Sequence, residues 1–160
     1  MTRVQRADGW GALAEARFTV GRTGLVINEF MADNGSALAD PGDAGRFPDW
    51  IELYNAGPDT VDLAEYALSD DPDIPLKWSP NHFLMPPAGY VLVLASGKER
   101  REILNGRAHA NFRLDAGGEY VGLVRPDLSV AAQFGPGGTD YPEQDADVSY
   151  GVHPATALPV

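Results

Sequence analysis

The sequence predicts an all-β sandwich of about eight to ten short antiparallel strands. Three observations predict it. Asp49-Trp50-Ile51-Glu52-Leu53-Tyr54-Asn55 alternates in polarity, and Leu25-Val26-Ile27-Asn28-Glu29-Phe30-Met31 nearly does, as half-buried strands do. Turn signals recur between short apolar runs along the chain. Gly (18 residues) and Pro (13) are frequent enough to favour many turns over long helices.

Residues 1–22 stand apart. Trp10, Leu13, Ala14, Ala16, Phe18 and Val20 suit one strand, or a short helix leading into one, and Gly21-Arg22-Thr23-Gly24 reads as a linker. The first strand of the main domain is then expected at 25–32. A loop rich in Asp, Gly and Pro follows over 33–48, long enough to suggest a purpose. The second strand is 49–55, and Ala56-Gly57-Pro58-Asp59 is a turn into short strands at 60–63 and 66–69. Asp70-Asp71-Pro72-Asp73 punctuates again, before a brief strand at Leu76-Lys77-Trp78. Met85-Pro86-Pro87-Ala88-Gly89 turns tightly into an apolar strand at 90–95. Residues 97–104 are the one segment that suits a helix. Strands are expected at 109–114, at 119–124 after the Ala116-Gly117-Gly118 turn, and at 130–134 after Asp127-Leu128-Ser129. Gly135-Pro136-Gly137-Gly138 is a flexible loop, and 147–151 closes the domain. Pro154 and Pro159 give 152–160 the character of an exit linker.

A chain of 160 residues fits one domain with flanking sequence, and 44% hydrophobic residues can fill one core. With no cysteine there are no disulfides and no thiol chemistry. The net charge is −11, from 12 basic and 23 acidic residues. Residues 33–73 hold 11 of those acids and one base, Arg46, so one segment carries almost all of the excess. Non-specific binding to nucleic-acid phosphates is therefore not expected, and a cation or a basic partner is the more compatible ligand. The longest apolar runs, such as Val91–Ala95, are strand-sized, so membrane insertion is not expected. The first twenty residues lack the apolar stretch of a signal peptide; the signal of a secreted parent would lie outside this sequence.

Several pieces, taken in order, resemble the lamin-tail domain in its bacterial form. They are Leu25 to Asn34, Asp49 to Asn55, Leu63 to Asp71 with Lys77-Trp78, Pro87 to Gly97, His109 to Leu114, Gly118 to Leu123 and Asp147 to Gly151. The resemblance covers about residues 25–151. It implies an immunoglobulin-like β-sandwich that acts as an accessory module of a secreted or surface multidomain bacterial protein, extracellular or at the cell surface, beside neighbouring domains of a longer chain. Residues 2–20 resemble the last strands of another β-sandwich, of the kind that ends chitobiase-like or fibronectin-like domains. The expected organisation is thus a remnant of a preceding β-domain with its linker over 1–22, the lamin-tail-like domain over 25–151, and the linker over 152–160.

The acidic loops are the first candidate for chemistry. Asp33 and Asn34, Asp49, and Asp70, Asp71 and Asp73 could supply the hard oxygens that Ca²⁺ requires. No D-x-D-x-D-G run occurs, and capping of turns by Asp and Asn is the more economical reading. Ca²⁺ is the one candidate cofactor, and none is required. Glu52 lies between Trp50 and Tyr54 on one face of its strand; a carboxylate there more often pairs across the sheet than catalyses, and no second acid makes a glycosidase pair with it. His82, His109 and His153 form no zinc spacing. A Ser-His-Asp set can be assembled only without a G-x-S-x-G elbow. Ser96-Gly97-Lys98 lacks the earlier glycine of a phosphate loop and has Glu99 where Ser or Thr belongs. Trp50, Tyr54 and Trp78, with Tyr90, Tyr120, Tyr141 and Tyr150, suit either sugar stacking or a sandwich core. The expectation is a non-catalytic interaction or adhesion module with a protein or polysaccharide partner. A carbohydrate-binding module using exposed aromatics and the acidic loops, with Ca²⁺ as a stabiliser, is the alternative, and a hydrolase ranks below both; Trp50, Glu52, Tyr54 and Trp78 are the candidate binding residues.

Overall fold

The computed structural model describes residues 24–136 and 139–151, with the backbone of residues 5–6 and 9–10. Two short strands, β1 (Gln5–Arg6) and β2 (Gly9–Trp10), pair with each other in antiparallel fashion. The rest of the segment expected to be a preceding-domain remnant, 1–22, lies outside the described residues, as does the exit linker.

The main sheet contains β3 (Leu25–Met31), β4 (Asp49–Asn55), β8 (Tyr90–Ala95), β9 (Arg100–Leu104), β10 (Arg107–His109) and β13 (Tyr150–Gly151), in the order β13-β3-β4-β8-β10-β9. A second sheet holds β6 (Ala67–Ser69), β11 (Val121–Val124) and β12 (Val130–Phe134), in the order β12-β11-β6. A two-stranded ribbon joins β5 (Val61–Asp62) to β7 (Leu84–Met85).

The two sheets face each other. Ile27, Phe30, Ile51, Leu53, Val91 and Val93 of the first pack with Leu68, Val121, Leu123, Ala131 and Phe134 of the second in one buried core. Each large side chain so buried contributes about 1.5–3 kcal/mol. The aromatic centre is tight: the Phe30 ring lies 5.0 Å from Phe134, edge-on, and 4.7 Å from Tyr141. This is an immunoglobulin-like sandwich by layering and size.

The imperfect alternation of β3 has a physical cause. Ile27 pairs with Leu53 and Glu29 with Glu52, so Asn28 is an extra, bulged residue. The bulge resets the parity of the strand, which lets both Ile27 and Phe30 face the core. It also sets two glutamates opposite each other. The Asn28 amide donates to Glu52 at 2.7 Å and the Ser149 hydroxyl to Glu29 at 2.9 Å, giving each carboxylate its own donor.

Four expectations are corrected. The segment expected to be a helix, 97–104, is strand β9 from Arg100 onward, and no α-helix occurs among the described residues. Asn105 (φ 52°) and Gly106 (φ 74°) form the two-residue turn that folds β9 onto β10, and two consecutive positive φ values are what a tight hairpin needs. One pairing is parallel: the chain leaves β8, crosses to the sheet edge as β9 and returns as β10 alongside β8 in the same direction. The strand expected at 109–114 therefore lies earlier, at 107–109. Elsewhere Trp78 joins Leu68 only as an isolated bridge, and residues Leu63–Glu65 form a 3-10 turn capped by the Asp62 carboxylate.

Candidate functional site on the outer sheet face

Residues paired directly across a sheet project on the same side. The outer side of the main sheet therefore carries rows of neighbours. Val26, Tyr54 and Tyr90 form the first, Glu29, Glu52 and Leu92 the second with Asn28 reaching in from the bulge, and Met31, Trp50 and Leu94 the third. The rows continue into β10, where Arg107 pairs with Leu92 and His109 with Leu94.

The third row is covered. Met31, Trp50 and Leu94 make a small buried cluster, joined by Leu38 from the loop 33–48. Local hydrogen bonds fold that loop back over the sheet. The Asn34 side chain accepts from Leu38 N–H at 3.1 Å and donates to the carbonyls of Leu38 and Pro48 at 2.8 and 2.7 Å. Asp147, from the far end of the domain, accepts from the N–H groups of Ser36 and Ala37 at 2.7 and 3.0 Å and from the Ser36 hydroxyl at 2.6 Å. At the loop tip, Lys98 Nζ donates to Asp40 and to Asp43, each at 2.9 Å. The Asp40 side chain is only 1% exposed. Burial works against its ionisation, but the Lys98 ammonium and the Gly42 N–H outweigh it and hold the carboxyl below its ordinary pKa.

Beneath the tip, Ser96 Oγ and His109 Nδ1 are 3.0 Å apart, and Asp40 Oδ2 is 4.0 Å from the same nitrogen. A catalytic triad needs its acid and its nucleophile on opposite ring nitrogens. Here both face Nδ1, so the set cannot relay a proton from serine to aspartate through the ring. Burial pushes the His109 pKa down, which keeps the ring neutral near pH 7. The group belongs to the latch that holds the loop.

The first two rows are less covered: Val26, Glu52, Tyr54 and Leu92 are half-buried, with Leu92 packing against the third-row cluster, and Tyr90 is exposed. Tyr54 and Tyr90 stack with ring centroids 4.5 Å apart and planes at 26°, and Tyr90 is 55% exposed. Glu52 stands beside them, oriented by Asn28. The result is a flat patch with one free aromatic face, the facing carboxylates of Glu52 and Glu29 and one amide, on the central strands of the sheet.

The other residues expected to bind lie elsewhere. Trp78 is completely buried and Trp50 is 8% exposed, so neither offers a ring face to a ligand; the fold uses both as interior apolar mass. The acids considered for Ca²⁺ fall into two groups. Asp49 accepts from the Asn34 N–H at 3.3 Å, with Asp33 close enough to repel it; burial first, then that repulsion, raises its pKa. Asp70 meets Lys77 at 2.6 Å, and Asp71 accepts from the Asp73 N–H at 2.9 Å. Among the described residues, no group of three or more His, Asp or Glu side chains is arranged to hold a metal ion.

Sequence reasoning missed Glu119. It lines a cleft of about 420 Å³ with Asp70, Asp71 and Asp140. Burial first, then the nearby Asp70 and Asp115, pushes its pKa up to about 7. Its Oε1 accepts from Asp115 N–H at 3.0 Å and lies 3.3 Å from the Tyr141 hydroxyl, which also donates to the Asp115 carbonyl at 2.9 Å. One hydroxyl proton cannot serve two acceptors. A protonated Glu119 donating to Tyr141 satisfies every group. No spacing in the sequence signals this. Asn28, by contrast, is marked by the break in alternation.

A family model for the lamin tail domain matches residues 21–138. No curated protein matches the chain.

Proposed function

As the chain belongs to the lamin tail domain family, we propose that it is a non-catalytic interaction and adhesion module of a secreted or surface multidomain bacterial protein. The observation that carries this reading is the open half of the outer sheet face. Tyr54, Tyr90 and Glu52 sit on a flat, rigid surface rather than in a cleft that could enclose a reacting group. Flat aromatic patches with oriented polar neighbours suit recognition, because rigid rings give contact area at low entropic cost. The extracellular setting rests on the family resemblance. The test is retention of the chain on insoluble cell-wall and matrix preparations, compared with Tyr54→Ala and Tyr90→Ala. Both variants should be retained at least ten-fold less, by rough expectation for two central contacts. Retention unchanged in both would remove this face from the reading.

A second reading is a carbohydrate-binding module. It is favoured by one observation: Tyr90 uses one ring face against Tyr54 and is more than half exposed, as a sugar-stacking ring must be. A glycan array separates the two, since only this reading requires soluble oligosaccharides to bind and Tyr90→Ala to abolish the signal.

A further inference from the structure

The second row of the outer sheet face sets two like charges together. Glu29 of β3 and Glu52 of β4 are direct partners across the ladder, and like charges so placed repel. Each takes one neutral donor: the Asn28 amide reaches Glu52 at 2.7 Å and the Ser149 hydroxyl reaches Glu29 at 2.9 Å. Neither carboxylate has an ion pair among the described residues. The residue that faces Glu29 from β13 is Gly151, which brings no side chain over it. The base in this row, Arg107, comes only after Leu92, which separates it from Glu52. Tyr90 lies diagonally from Glu52 across a β4–β8 pairing that runs without a register shift, within reach for a long side chain and an aromatic one. The phenol feels that neighbourhood: burial first, then Tyr54 and the Glu52 carboxylate, push the Tyr90 pKa up.

We infer that this face takes an arginine side chain from a basic segment of a partner protein, its guanidinium laid on the free face of Tyr90 and forked to Glu52, with Glu29 receiving a second base of the same segment. The inference rests on the reading of this face as the recognition surface and adds the chemistry of what is recognised. A guanidinium is planar, stacks on aromatic rings and meets a carboxylate with two donors, whereas an ammonium offers only a point charge. Tyr90 supplies the ring, with one face against Tyr54 and 55% of its surface exposed, and Glu52 supplies the carboxylate beside it. Positive charge between Glu29 and Glu52 relieves their repulsion, and a chain of net charge −11 attracts it from a distance. A neutral sugar would stack on Tyr90 but leave both carboxylates as they are. A calcium ion takes six to eight oxygens, and among the described residues no three acids are gathered to offer them.

The experiment is fluorescence anisotropy of the full chain with a labelled peptide alternating Arg and Ser. The same peptide with Lys or with neutral citrulline for Arg, and a labelled chitosan oligosaccharide, serve as comparisons. The arginine peptide should bind more tightly than the lysine one, and more weakly at high salt. Glu52→Gln and Tyr90→Ala should each weaken it about ten-fold, a loss of about 1.4 kcal/mol, and Glu29→Gln should weaken it less. Glu65→Gln, on the exposed 3-10 turn outside this sheet, should bind as the parent does, which separates the site from general attraction to an acidic chain. Glutamine keeps an oxygen for Asn28 or Ser149, so both sheet-face Gln variants should melt no lower than the parent. Equal binding of the lysine or citrulline peptide would overturn the inference. So would an equal loss in Glu65→Gln, undiminished binding by the folded Glu52→Gln, Tyr90→Ala double variant, or binding of chitosan in place of the peptide. If Tyr90→Ala loses retention on wall and matrix preparations while the arginine peptide does not bind, this inference falls and the proposed function stands; if retention is also unchanged, both fall.

Discussion

Trp50 and Tyr54 lie on the same strand, face the same way and are both aromatic, yet one is buried and the other belongs to an open patch. The strand does not make the difference. The loop 33–48 does, because Leu38 returns over Met31, Trp50 and Leu94 and stops short of the Tyr54–Tyr90 row. A sheet face is thus divided into structure and surface by what crosses it. Carboxylates are the means here: Asp40, Asp43 and Asp147 hold the cover in place.

The largest test of this division is a pair of truncations. Trp50→Ala should cost about 3 kcal/mol in chemical denaturation, as loss of a buried aromatic does. Tyr54→Ala should cost less than about 1 kcal/mol, chiefly the lost ring stack. Similar losses would mean that the two halves are not different in kind.

Unlatching the loop should come next. Asp40→Asn leaves Lys98 with one carboxylate, which is exposed, and should cost about 2 kcal/mol. Amide exchange should then quicken across 36–46 and stay unchanged in β4; no change in the loop would show that Leu38 holds it alone. The pH dependence follows the same parts. Asp40 and Asp147 have folded pKa values below their ordinary ones. For Asp147 the main cause is the Ser36 hydroxyl and N–H; for Asp40 the Lys98 pair overcomes burial. Their contribution is therefore complete above about pH 4 and is lost as the pH falls through the lowered values. Melting temperatures taken between pH 5 and pH 2 should fall less steeply for Asp40→Asn than for the parent.

Glu119 should behave with the opposite sign. Its folded pKa is raised to about 7, so its contribution is complete below its unfolded value near 4.5 and is lost as the pH climbs through about 7. Glu119→Gln should match the parent near pH 4 and exceed it at pH 8 by roughly 1–3 kcal/mol. Parallel stability curves for the two would contradict a protonated Glu119.

The smallest effect should come from calcium. Several carboxylates of the acidic segment take internal donors, such as Asn34 N–H on Asp49 and Asp73 N–H on Asp71. Melting temperatures in EDTA and in millimolar Ca²⁺ should coincide. A rise with Ca²⁺ would place a ligand among acids that the fold has otherwise used as caps.

Much of the fold was legible because it rests on local periodicity. The bounds of β4 and the alternation that faces Ile51 and Leu53 inward follow directly from Asp49–Asn55. The misreading of 97–104 arose because Arg100-Arg101-Glu102 has no strand pattern: β9 lies at the sheet edge, with little burial to impose one. Asn105-Gly106 was the available signal, since that pair favours the tight hairpin found there. The parallel run of β10 beside β8 depends on where the chain crosses, which no local pattern encodes. The candidate site was legible only in part. Glu52 and Tyr54 were visible as a face of β4, but burial of Trp50 and Trp78 depends on how Leu38 folds back over the sheet and on the second sheet, neither of which periodicity along one strand encodes.

The C-terminal strand has a consequence for how the domain is made. Tyr150 pairs with Phe30, Ser149 donates to Glu29, and Asp147 secures residues 36 and 37, so one short segment clasps both β3 and the loop from more than a hundred residues away. During synthesis that segment emerges roughly 6–24 s after β3, at ordinary elongation rates. For that interval β3 has β4 on one side and an unpaired edge on the other, and the ribosome-bound chain is open to strand exchange with a neighbour. The order of translation, more than the finished packing, sets when this domain is most vulnerable to misassembly.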